Sequence, residues 1–159
     1  MPTSGPFDIL VLGVRSLAHA DDRGPALQAL LGSIVEPLGI GSAAIFVVQR
    51  ESDGLELVAS AGIDDATATA LAGAVRNPAH PIARTVTDRM ASFDMRPTAP
   101  GGPALRSHLP LRVRRGGEDT LVGVLALAHD RPFDPPTRTL LGASADLAAV
   151  AIERWSGVS

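Results

Sequence analysis

The run Leu105-Arg106-Ser107-His108-Leu109-Pro110-Leu111-Arg112-Val113-Arg114 has a period of two. Leu105, Ser107, Leu109, Leu111 and Val113 fall on one side, and Arg106, His108, Pro110, Arg112 and Arg114 on the other, as in a strand with two different faces. Gly116-Gly117-Glu118-Asp119 then turns the chain, and Leu121–Ala128 returns as an apolar run suited to a central strand. A hairpin of this kind commits the fold to an antiparallel sheet.

A second hairpin lies upstream. Ala43–Val48 is short, β-branched and apolar on both faces, Ser52-Asp53-Gly54 is a turn signal, and Leu55–Ala59 returns as a strand. Asp64-Asp65 place acidic charge at the start of a helix over Ala66–Arg76, which Asn77-Pro78 stops. Pro81 begins a short helix reaching about Met90, and Ala91–Asp94 is a brief strand. Met95–Pro103 holds three Pro and two Gly and reads as a loop.

Helices occupy both ends. Ile9, Leu10, Leu12, Val14 and Leu17 form one stripe within Phe7–Ala20, and Leu27, Leu30, Leu31, Ile34, Val35 and Leu38 form another. The last helix opens at Phe133-Asp134-Pro135-Pro136 and runs to Trp155. Its apolar positions, Leu140, Leu141, Leu147, Val150, Ala151, Ile152 and Trp155, cover more than one stripe, which predicts contact with the sheet and with another helix. The fold class expected is α+β, with a single antiparallel sheet of five or six strands and the terminal helices packed on one face.

Composition narrows the function classes. The 159 residues are 45% hydrophobic but only 3% aromatic, so an aliphatic core within a single domain is expected. Fourteen basic against 17 acidic residues give a net charge of −3, which argues against a nucleic-acid partner. The absence of Cys removes disulfides, thiolate metal sites and thiol nucleophiles together. No apolar run reaches the length of a membrane span, and no cation precedes Arg15, so the expectation is a cytoplasmic protein with no membrane association.

Several segments, in this order, resemble the GAF domain family over Pro25 to Trp155. They are Ala43-Ala44-Ile45-Phe46-Val47-Val48, Leu55–Ala61, Pro81-Ile82-Ala83-Arg84-Thr85-Val86 leading into Ala91-Ser92-Phe93, Arg106-Ser107, Pro110-Leu111, Val122–Leu127 and Phe133. The resemblance implies a PAS-like sheet with a ligand pocket under short helices and loops on the face opposite the terminal helices. It also implies a non-catalytic sensory domain for a small molecule, with a separate signalling protein as a partner. The alternative is a ligand-free GAF module serving dimerisation. On this reading residues 1–24 are a helical extension suited to homodimer formation, 25–156 the GAF-like domain and 157–159 a tail.

Specialised members of the family fit poorly. Bilin attachment and methionine sulfoxide reduction in the family use Cys, which this chain lacks. The cyclic-nucleotide signature of Asn-Lys, then Phe-x-x-x-Asp-Glu, is met by Phe133 alone, in a stretch reading His129-Asp130 and Phe133-Asp134-Pro135-Pro136-Thr137-Arg138. Where haem-bearing relatives place an axial His, this chain has Gly101-Gly102-Pro103, although His80 and His108 remain as potential ligands. The cofactor is left open.

Candidate binding residues follow from the alternating strand. If its polar face is covered, Arg106 and His108 both reach one ligand, and the Arg fork suits carboxylate or phosphate; if it is open, they are a solvated face. His80 before Pro81 reads either as a helix cap or as a pocket donor beside Arg84. Ser92 and Asp94 are further candidates, with Asp94 alternatively pairing with Arg84 or Arg96. Phe46 and Phe93 are candidate stacking surfaces. His19 and His129 read as surface positions, and the four scattered His do not predict a metal site. No nucleophile, phosphate-loop or dinucleotide motif appears, and Ser107 and His108 point to opposite faces, so no enzyme is expected.

Overall fold

The computed structural model describes residues 23–49, 54–96 and 105–156. The helix expected over Phe7–Ala20, His19, the first two residues of the Ser52-Asp53-Gly54 turn, most of the Met95–Pro103 loop and the Trp155 side chain lie outside them. The elements run α1 (Arg23–Val35), β1 (Ile40–Val48), β2 (Leu55–Ala61), α2 (Asp65–Ala74), α3 (Pro81–Asp88), β3 (Ser92–Met95), β4 (Leu105–Arg115), β5 (Glu118–His129) and α4 (Pro135–Ser156).

The strands form one open antiparallel sheet in the order β2-β1-β5-β4-β3. β5 pairs with both β1 and β4 and so joins the two hairpins. Both of its faces are covered, as its apolar sequence requires. Gly123 on β5 is needed where β1 crosses: a Cβ there would come within 2.1 Å of the Phe46 carbonyl oxygen.

One face carries the larger core. Leu27, Leu30, Leu31 and Ile34 recur at helical spacing on α1 and are buried against β1 and β2. The Gln28 side chain pins this helix to the edge strand by accepting from the Ser60 amide at 3.1 Å and donating to the Ser60 carbonyl. That pairing satisfies edge groups which would otherwise be open to another strand. On α4, Leu140, Leu141, Ala145, Ala148, Ala149 and Ile152 are buried against β4, β5 and α1, which accounts for the breadth of its apolar surface. Val150 departs from the expected inward set and is 60% exposed.

The opposite face holds a smaller core of Ala44, Phe46, Val75, Ile82, Val124 and Ala126 under α2 and α3. Asp64 caps α2 by accepting from Thr67 N at 2.7 Å, yet α2 has no buried residue and covers the sheet loosely. α3 stops at Asp88, before the expected Met90, because Arg89 turns left-handed at φ 56°.

Candidate ligand-binding site

Residues paired across an antiparallel sheet share a face, and the registers place three rows under α2 and α3. Ser42, Ala128 and Arg106 form the first, Ala44, Ala126 and His108 the second, and Phe46, Val124 and Pro110 the third. In the third row the large Phe46 ring fills the space beneath Ile82 and Val75. In the first two, alanines and Ser42 leave it open. The result is a cavity of about 680 Å³ floored by Ala44, Ala126 and Ala128. Ile63, Thr67 and Leu71 wall it on the α2 side, and His80, Pro81 and Ile82 on the α3 side. Met95, Arg96, Arg106 and His108 close the β3–β4 side. Its size and largely apolar lining are those of a small-molecule site.

His108 is 4% exposed, and its Nδ1 is buried with no hydrogen-bond partner among the described residues. Burial, followed by the charges of His80 and Arg106, pushes its pKa down to about 4, so the ring is neutral at physiological pH. His80 does both things the sequence allowed. Its Nδ1 accepts from Ile82 N at 3.2 Å and caps α3, while the residue lines the cavity. Because Nδ1 accepts, the neutral ring carries its proton on Nε2. Burial also lowers the His80 pKa.

Of the sequence candidates, Arg106, His108 and His80 thus meet at one cavity. Arg84 is exposed on α3, and Ser92 pairs with His108 in the β3–β4 ladder without lining the hollow. Phe46 lies in the core beside it. Asp94 and Phe93 turn the other way, toward α4: Asp94 bonds Arg138 rather than Arg84 or Arg96, and the Arg138 guanidinium sits 4.9 Å from the Phe93 ring centroid.

His129, read as a surface position, is instead 1% exposed. It stacks on Phe133 with ring centroids 3.8 Å apart, and Phe133, just before α4, covers the end of β5. Its Nδ1 donates to the Arg131 carbonyl at 2.7 Å, which leaves Nε2 to accept from Ser107 Oγ at 2.8 Å. Ser107 is fully buried, so this serine–histidine pair is a core tether with no route to a substrate.

Sequence reasoning missed Asp64, Arg96, Thr67, Ser42 and the alanine floor as parts of the site. The available signal was the small residue at alternate positions, Ser42 and Ala44 on β1 and Ala126 and Ala128 on β5. Among the described residues, no three His, Asp or Glu side chains cluster in a way that could hold a metal ion, and no helix is long and apolar enough to cross a membrane.

A GAF domain family model matches residues 25–154. The GAF domain of the Acinetobacter phosphoenolpyruvate-protein phosphotransferase has a similar structure, with TM-score 0.78, 14% identity, and coverage of 96% of this chain and 95% of that one. So does the free methionine-R-sulfoxide reductase of Neisseria meningitidis, solved with its substrate, at TM-score 0.72 and 15% identity over 97% and 92% of the two chains. The second GAF domain of DevS from Mycobacterium smegmatis gives TM-score 0.63 and 22% identity over 86% and 96%. At these identities the likeness is one of fold. No curated protein matches the sequence.

Proposed function

Because the chain belongs to the GAF domain family, a sensory and regulatory family of signalling proteins, we propose that it is a sensory domain that acts by binding a small anionic molecule in the cavity under α2 and α3. The observation that carries this reading is His108, a buried polar side chain at the cavity wall whose Nδ1 lacks a partner among the described residues. Such a group is costly to bury and is retained where a ligand or water meets it. Arg106, His108 and His80 are the residues assigned to the ligand, with Phe46 as the packed wall beside it. Ligand-dependent ordering of α3 and β3 would bias the terminal helices, and a partner protein would read their arrangement.

Native mass spectrometry of the freshly purified protein, with an absorption spectrum of the same sample, tests this. A mass excess over 16.4 kDa per chain, lost on denaturation and absent from an Ala126→Phe variant, is expected. A bare mass, together with no small-molecule binding that distinguishes wild type from Ala126→Phe, overturns it.

A second reading has an observation of its own. Ala143, Leu147 and Val150 follow the spacing of a helix–helix seam along α4, with Val150 exposed. A second copy of the chain would cover this seam. The domain would then serve as a dimerisation module.

A further inference from the structure

The cavity carries different chemistry on its different sides. Its charged lining residues, among those described, are Arg96 and Arg106 on the β3–β4 side and Asp64 at the start of α2. The cationic side chains thus stand on one side of the cavity and the carboxylate on another. The histidines add no charge near neutral pH, because His108 is held neutral and His80 is shifted the same way. A single carboxylate on the β3–β4 side meets guanidinium groups, whereas a second one carried toward the start of α2 would face Asp64.

The floor imposes a second condition. From Arg106 and His108 it runs across β5 and β1 over Ala128, Ala126 and Ala44, then reaches Leu71 and Ile63 beneath α2. Strands lie about 4.8 Å apart, so His108 and Ala44 are separated by roughly 10 Å. That distance suits an extended chain of on the order of eight carbons. An inorganic oxyanion held at Arg106 would leave this apolar surface uncovered, whereas a hydrocarbon body would bury it.

Resting on the sensing reading of the same cavity, we infer that the ligand class is a monocarboxylate with an aliphatic body. The carboxylate accepts from Arg106 at the β4 wall, and the body lies over Ala126 and Ala44 toward Leu71.

Calorimetric titration of the full chain at pH 7 with acetate, butanoate, hexanoate and octanoate, and with hexanamide and inorganic phosphate, tests it. Affinity should rise about fourfold per added CH₂ until the floor is filled. Hexanamide and phosphate should bind at least tenfold more weakly than hexanoate, and Arg106→Gln should erase the preference for hexanoate over hexanamide. Ala126→Phe, or Ala128→Leu if the first variant fails to fold by circular dichroism, should abolish binding. Phosphate binding more tightly than every carboxylate, or equal affinity along the series, overturns the ligand class. So does the absence of carboxylate binding while a different retained ligand appears by native mass and disappears in the filled variant; in that case the sensing reading stands. Failure of every probe together with a bare native mass overturns both.

Discussion

Asp94 on β3 and Arg138 on α4 meet at 2.6 Å across 44 residues of sequence, in a cluster that ties the strand beside the cavity to the first turns of the C-terminal helix. Asp94 adopts φ 57°, an unusual backbone for a residue other than glycine. There its Oδ1 accepts from Phe133 N at 3.0 Å, and its own amide donates to Ser107 Oγ at 3.1 Å. The next residue, Met95, lines the cavity. One short strand therefore touches both the cavity and the C-terminal helix.

Asp94→Ala should lower stability by about 2 kcal/mol, since the Phe133 amide and the Arg138 guanidinium lose their acceptor together. Burial acts to raise the Asp94 pKa, but the Phe133 amide, the Arg138 guanidinium and the His129 charge outweigh it and hold the carboxyl below its usual value. A carboxyl depressed in the folded state contributes stability above the unfolded pKa of about 3.9 and loses it as pH falls through the lower folded value. Urea unfolding of wild type and Asp94→Asn should differ at pH 7, and the difference should shrink as pH falls below the usual carboxylate range. Parallel curves over the whole range would remove the carboxylate's role.

The His108 ring should titrate near pH 4 in the folded protein, against 6.5 for an unperturbed histidine. Its neutral form is the one the fold accepts, so stability is complete above pH 6.5 and falls as pH drops toward 4, by about 3 kcal/mol in total. A histidine-resolved NMR titration measures the midpoint directly. His108→Gln should flatten stability between those two pH values, and a midpoint near 6.5 would contradict the burial argument.

Ser107→Ala should cost about 1–3 kcal/mol, because it strands His129 Nε2 and the Asp94 amide in the core. The pair faces the terminal helices and not the cavity, so affinity for any cavity ligand should change less than twofold. Chemical denaturation and calorimetry on the same variant separate the two effects.

Gly123→Ala places a methyl group against the Phe46 carbonyl at a distance no real Cβ tolerates. The β1–β5 ladder would have to part, at a cost on the order of 3 kcal/mol or more. Loss of soluble expression or a large fall in thermal midpoint is expected, whereas Gly142→Ala on α4, with open space at its Cβ, should stabilise slightly.

If the α4 seam pairs two copies, Val150→Glu should convert dimer to monomer in light scattering without lowering the thermal midpoint of the isolated fold. An unchanged dimer mass would place the interface elsewhere.

The fold was legible in the sequence because its evidence is local. Alternation in Leu105–Arg114, turn residues at Gly116-Gly117 and helical spacing from Leu27 to Ile34 each lie within a dozen residues, and hairpins leave little freedom in how such strands pair. The same alternation put Arg106 and His108 on one face. It could not say whether that face was covered, because exposure depends on where α2 and α3 return over the sheet. The cavity depends on registers: Ala44 meets Ala126 and Ala126 meets His108 only once β5 is set between β1 and β4. Likewise the partner of Asp94 was decided by the docking of α4, and the burial of His129 by Phe133 closing over the strand end. The sequence by itself determined the elements, their periodicities and the chemistry each could offer. Tertiary structure alone decided which side chains share a hollow and which are sealed in the core, since those choices are made by contacts between residues distant in the chain.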